Sequence, residues 1–168
     1  MGLLKPHPNQ KHKPNKKYMA SSGSRASLIF RNAPRGLDRK QIREFAKKLS
    51  VLVAPGCGFT VLITNDKELC RLNTVFLGKD SPTDVLSFPI EGDENELGEM
   101  AISAQRARLQ GMEFRHSVEN EIAILMLHGL LHLQGLDHEN DRGKMRRTEA
   151  KWRAALDLPH GLIERAKK

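Results

Sequence analysis

Residues 117–138 read SVENEIAILMLHGLLHLQGLDH, and three of the chain's seven histidines, His128, His132 and His138, are set into that stretch. Their neighbours have the composition of buried residues, so the fold must place imidazoles in or beside its interior. Ser117 offers a helix N-cap, Glu119 and Glu121 suit the positive end of the helix dipole, and Gly135 is a natural left-handed stop. On such a helix His128 and His132 stand about 6 Å apart along the axis and about 40° apart around it, hence on one face. Beyond Gly135 the chain can turn back and bring His138 opposite the other two.

A single histidine on an apolar helix is usually a satisfied core residue. Two at i and i+4, followed by a glycine stop and a third at a fixed offset, are harder to explain that way. Burying unpartnered imidazoles wastes hydrogen-bonding capacity, and a shared metal ion relieves that cost. Three neutral imidazoles with an open fourth position describe a catalytic zinc site better than a structural one, which fills all four positions. The spacing H-x-x-x-H-x-x-G-x-x-H also matches zinc proteases, whose pattern places a general-base glutamate after the first histidine. Gly129 stands there in this chain, so a peptidase reading lacks its proton acceptor. Asp137 and Glu139 read as partners that orient a ligand histidine. His116, isolated ahead of the helix, is not expected to be a ligand.

At 168 residues the chain is long enough for one domain with a true core and too short for two. No apolar stretch approaches the roughly 18 residues of a membrane helix. Cys57 and Cys70 form no C-x-x-C pair, which fits a reducing, cytoplasmic setting. The formal net charge is +8, and Lys5, Lys11, Lys13, Lys16, Lys17 and Arg25 supply six of those charges in a segment without acids. Such a segment either binds phosphate through counterion release or is a solvated extension. Residues 1–26 are also too poor in large apolar groups to offset their ordering entropy, and are expected to be disordered. They lack the apolar core of a signal peptide, and Pro6, Pro8 and Pro14 break the helix of a transit peptide. A single domain is expected over residues 27–168.

Within that domain SLIFRN reads as a first strand, followed by a helix from Asp38 that Pro55 and Gly56 terminate. FTVLIT, residues 59–64, is a second strand, and Asn65 caps a second helix ending near Leu77. DVLSFPI is a third strand ended by Pro89, EGDENELG a turn or loop, and EMAISA a fourth strand forming a hairpin-like pair with the third. After Ala104 the pattern is helical, closing with an amphipathic helix from Asp141 to Leu156 that turns Met145, Trp152 and Leu156 inward. The fold class is α+β: a small mixed four-stranded sheet packed with about five helices, carrying a three-His site like that of zinc hydrolases.

HGLLHLQGLDH together with SPTDVLSFP, residues 81–89, resembles the bacterial YbeY family of metal-dependent endoribonucleases. Met145 and Glu149 also fall where that family places such residues. The resemblance implies an RNase directed at single strands, acting in ribosomal RNA maturation near the small-subunit RNA 3′ end and in ribosome quality control. It carries His128, His132 and His138 over as zinc ligands, one ion per chain, and makes ribosomal RNA and the small ribosomal subunit the expected partners. Family members often place an arginine after the aromatic residue ahead of G-K-D. Here Phe76-Leu77-Gly78-Lys79 puts Leu77 in that place, which leaves Lys79 as a neighbouring cation.

In TDVLSFP, Val85, Leu86 and Phe88 read as core, and Asp84 as a loop cap or a substrate contact. The leading expectation is a zinc-dependent endoribonuclease in which the metal acts as Lewis acid and activates either a water or the RNA 2′-hydroxyl. Two other readings remain. One is a metal-dependent hydrolase of another bond. The other is a non-catalytic ribosome assembly factor with a structural metal, which a fourth protein ligand would favour.

Overall fold

The computed structural model describes residues 25–159. The expectation for residues 1–26 therefore falls almost wholly outside the described residues, which also exclude 160–168. Among the described residues the order is β1 (Ala26–Phe30), α1 (Arg39–Leu52), β2 (Gly58–Thr64), α2 (Asp66–Leu77), β3 (Val85–Pro89), β4 (Glu96–Ser103), α3 (Ala104–Phe114), α4 (Val118–Leu133) and α5 (Lys144–Ala155).

Local chemistry explains most of these boundaries. Asp38, Asn65 and Ser117 accept from the backbone N–H three residues on, capping α1, α2 and α4 as their side chains lead one to expect. Ser103 does the same for α3. Gly78 closes α2 in the left-handed conformation. Residues 134–143 leave α4 through Gly135 at φ 83°, the stop the sequence offers, and form the loop that carries His138; the last helix begins at Lys144, three residues after its expected start at Asp141.

The strands form one sheet in the order β1-β2-β4-β3. β1, β2 and β4 run parallel, and β3 lies antiparallel beside β4 with Val85 opposite Ile102, the expected hairpin-like pair. β4 starts at Glu96, three residues earlier than its expected start at Glu99. Gly98 makes that extension possible. It sits at φ 129°, and a Cβ there would lie 2.2 Å from the Phe88 carbonyl oxygen, so only glycine lets β4 pass β3 at this point.

Strand alternation divides the interior in two. Phe59, Val61, Ile63, Val85, Met100 and Ile102 face α1 and α4 in the main core. Leu86 and Ala101 face α2 in a smaller cluster with Leu69, against which Leu77 packs. α4 is buried at every position from Glu121 to Leu133, so it runs through the middle of the domain. Each fully buried Leu, Ile or Met side chain contributes about 1.5–3 kcal/mol relative to exposure. The histidine-bearing helix is therefore also the helix that holds the fold together.

Candidate metal centre

His128 and His132 project from the C-terminal half of α4 and are 1% and 3% exposed. Their Nε2 atoms lie 3.1 Å apart. His138 comes from the loop after Gly135 and is half-buried, its ring centre 5.7 Å from His128 and 5.4 Å from His132. One nitrogen from each ring falls within a set whose members all lie within 4.8 Å of one another. Ligands at zinc–nitrogen distances in a tetrahedron stand about 3.3 Å apart. The two helical nitrogens lie close to that spacing, and the His138 nitrogen lies within 4.8 Å of both. Among the described residues no fourth His, Cys or carboxylate joins this group.

The protonation chemistry also suits a cation. Burial, then the neighbouring His128 and His138 rings, push the His132 pKa down to about 3, so its ring is neutral with a lone pair available. Its Nδ1 faces the Leu136 backbone outside hydrogen-bond geometry and has no partner. His128 Nδ1 lies 3.0 Å from Glu149 Oε1, and that carboxylate is 2% exposed. A carboxylate facing Nδ1 keeps the proton there and leaves Nε2 as a ligand atom. Three imidazoles converging at the buried C-terminal half of α4, one oriented by a buried carboxylate, fit a divalent zinc-class ion.

Glu149 is the site residue that spacing did not identify. It lies 21 residues from His128 on α5, and only the family resemblance drew notice to it. Asp137 and Glu139, expected to orient a histidine, make no hydrogen bond to one among the described residues, although Asp137 lies near enough to His132 and His138 to interact through charge. Asp137 accepts from the Glu139 N–H and from Asn140 Nδ2, and these bonds hold its carboxyl below the usual carboxylate range. Glu139 itself is exposed. The orienting task falls to Glu149 because α5 packs Met145 into the core and so brings the next turn's inward residue against His128. Glu149→Gln keeps the size and can still accept a hydrogen bond from His128 Nδ1, but removes the charge. It is expected to weaken metal affinity by about 10–100-fold, read by competition with a chromophoric chelator. Unchanged affinity would show that the carboxylate serves packing alone.

The other residues singled out above have structural partners. His116 meets the fully buried Glu121 at 2.5 Å, away from the three histidines, so Glu121 serves this pair rather than a solvated helix end. Asp84 accepts from the Val85 N–H and from Gln110, a cap that ties the loop before β3 to α3. Ser87 donates to the Gly129 carbonyl at 3.2 Å and locks α4 onto β3. Leu77 packs on the α2 face of the sheet, opposite the face that carries α4, while Lys79 is exposed. Gly129 has a packing reason as well as a chemical consequence. A Cβ there would come within 3.0 Å of Met100 Sδ, 3.2 Å of Ser87 Oγ and 3.3 Å of Val85 Cγ2. The position a protease uses for its base points here into the sheet.

An α+β domain with a helix-borne histidine pair and a third histidine from the next loop has the form of a metal-dependent hydrolase. Comparison with known proteins makes this specific. The family model described as endoribonuclease YbeY matches residues 32–157. An endoribonuclease YbeY from Solibacter usitatus is 56% identical over 145 residues, covering 86% of this chain and 97% of that one. One from Helicobacter pylori is 40% identical over 120 residues, covering 71% of this chain and 86% of its own. A solution structure from Thermotoga maritima superposes with a TM-score of 0.53 at 29% identity, over 74% of this chain and 86% of that one. The chain belongs to the YbeY family of endoribonucleases.

Proposed function

We propose that this chain is a zinc-dependent endoribonuclease that cuts single-stranded RNA, with His128, His132 and His138 as its metal ligands. Its expected setting is ribosomal RNA maturation near the small-subunit RNA 3′ end, in ribosome quality control, in the cytoplasm. Family membership supports the nuclease activity. The observation that carries the site is the convergence of one nitrogen from each of three imidazoles within 4.8 Å, with no fourth ligand among the described residues. That open position favours catalysis over a purely structural metal. No described helix is long and apolar enough to cross a membrane, which is compatible with this setting.

Bound zinc supplies Lewis acidity toward a phosphoryl oxygen. The chain's own residues supply position and exclusion. α4 holds His128 and His132 on one face of a rigid, buried helix, and Glu149 fixes the His128 tautomer. Gly129 contributes no carboxylate, so α4 offers no proton acceptor to a peptide bond's attacking water. We assign the activity to the domain expected over residues 27–168, which the structure extends back to Arg25 through its bonds to Ser50 and Glu96 and the pairing of Ala26 in β1. We read the residues before Arg25 as a basic extension that the fold does not require.

The test is cleavage by purified protein of a single-stranded oligoribonucleotide, its duplex form and an unstructured peptide, for the full chain and one beginning at Arg25. Single-stranded RNA should be cut by both, the duplex poorly because stacking withholds the backbone freedom an in-line attack requires, and the peptide not at all. His128→Ala guards against a contaminating nuclease. Equal RNA cleavage by that variant would overturn the assignment, and activity lost with the extension would overturn the domain reading.

A further inference from the structure

The two faces of the sheet are covered unequally. α1 and α4 pack on one face, while α2 alone packs on the other. Strand alternation turns Thr60, Leu62, Glu99 and Phe88 toward the α2 side. Between these residues and α2 runs a groove of about 780 Å³, within the range of small-ligand sites, and none of the three histidines lines it. Leu62, Leu72, Phe76 and Phe88 give it an apolar bed, with the Phe76 and Phe88 rings 5.1 Å apart, edge to face. Ile29, Phe76 and Ile90 along it are 48%, 50% and 50% exposed, so the bed stands open to a ligand.

The polar groups of the groove sit at opposite ends. At one end Thr60 and Glu99 are register partners on β2 and β4. Glu99 is exposed, and neither its carboxylate nor the Thr60 hydroxyl has a partner among the described residues. At the other end Arg71 donates to Glu68 through Nε and Nη2 at 2.9 and 2.8 Å, which leaves its Nη1 free. Arg31 Nη2 reaches the same carboxylate only at 3.9 Å, so two guanidiniums share one acid. Ser27 is level with Thr60 and hence with Glu99, and Arg31 follows four residues further along, about 13 Å away in the strand direction. The long arginine side chains shorten that span to one a mononucleotide bridges.

A carboxylate accepts hydrogen bonds and donates none. Among the four RNA bases, guanine alone sets two donors side by side on its Watson–Crick edge, N1–H and the N2 amine, with the O6 acceptor next to them. Adenine and cytosine would set a ring-nitrogen lone pair against Glu99, and uracil would flank its one N–H with carbonyl oxygens. We propose that this groove binds a free guanosine 5′-phosphate. Glu99 accepts from N1–H and the N2 amine, Thr60 Oγ1 donates to O6, Leu62 and Phe88 bear the ring face, and Arg31 with Arg71 Nη1 takes the phosphate. The groove lies on the face opposite α4, so this ligand is a separate small molecule and not the RNA bond presented to the histidines. The site goes beyond the nuclease reading and does not depend on it.

The zinc-loaded full chain is titrated calorimetrically with guanosine, inosine, adenosine and uridine 5′-monophosphates, and with guanosine itself. The guanosine monophosphate should bind at one site per chain. The adenosine and uridine nucleotides should bind about tenfold more weakly or worse, with the inosine nucleotide, which lacks only the N2 amine, between them. Guanosine without its phosphate should also lose about tenfold. Lysines of the N-terminal segment attract every nucleotide alike, so base discrimination separates the groove from them. Glu99→Gln sets an amide donor against the base's donors and should lower affinity for the guanosine nucleotide about tenfold. Its melting temperature, zinc content and RNA cleavage should stay those of the parent, because Glu99 is exposed and has no partner to lose.

Methyl NMR should place the shifts caused by the guanosine nucleotide at Ile29, Leu62 and Ile90. Shifts centred on residues 128–138, equal affinity for all four nucleotides, or unchanged affinity in Glu99→Gln would each overturn the site, as would no binding at millimolar nucleotide. A guanosine-containing 2′-O-methyl oligoribonucleotide that fills the groove more tightly than the mononucleotide would overturn the assignment to a free nucleotide.

Discussion

His138→Ala is expected to reduce bound metal from about one equivalent per chain to near none while leaving the fold intact. His138 is half-buried on a loop, so its removal opens no large core cavity, and helical content and melting temperature should stay close to the parent's. RNA cleavage should fall to the background of the reagents. His132→Ala should lose metal equally but also some stability, because its ring is 3% exposed within α4. Elemental analysis after dialysis, paired with circular dichroism, separates the two effects. If the His138→Ala protein retains stoichiometric zinc, the three-histidine centre is wrong. If the metal-free parent stays fully active, the metal has no part in the reaction.

Gly129→Glu restores the residue a zinc protease carries and should yield no peptidase. Instead the protein should become unstable. The new side chain must leave α4 where Met100, Ser87 and Val85 already lie within 3.3 Å of the first added carbon. A carboxylate there has no water and no cationic partner, a burden of about 3–5 kcal/mol, and displaced side chains add to it. For a chain of this size that corresponds to a melting point lower by about 10–20 °C, or to no folded protein at all. Gly129→Ala is the informative companion. Its methyl requires Met100 and Ser87 to give by a few tenths of an ångström, so folding should survive with a change of about 1–2 kcal/mol. A Gly129→Glu protein that melts with the parent would refute the packing account.

The local features were legible in the sequence. Asp38, Asn65 and Ser117 announce helix starts, Gly78 and Gly135 announce ends, and β-branched and apolar residues mark Phe59 to Thr64 as a strand, all through neighbours within a few residues. The histidine pair was legible for the same reason, since helical geometry alone places i and i+4 on one face. What escaped were contacts made by long-range packing. Glu149 meets His128 only because Met145 anchors α5 in the core, and no local pattern states which carboxylate will lie there. Asp137, the nearer candidate, is occupied by its own turn. The placement of β4 beside β2 depends on strand pairing across about 40 residues, and the early start of β4 on a close approach at Gly98. Gly129 was legible as a missing base, but its packing reason needed the sheet.

The three imidazoles are not held equally. Two belong to the most deeply buried helix of the domain, while the third rides on a loop anchored by its own short turn. An ion held by these three rings would be released first on the loop side, because His138 moves with residues 134–143 while α4 keeps His128 and His132 fixed in the core. Metal exchange should follow the opening rate of residues 134–143 rather than the unfolding rate of the domain. Chelators should strip the protein far faster than it unfolds, and the stripped chain should accept a replacement ion without refolding.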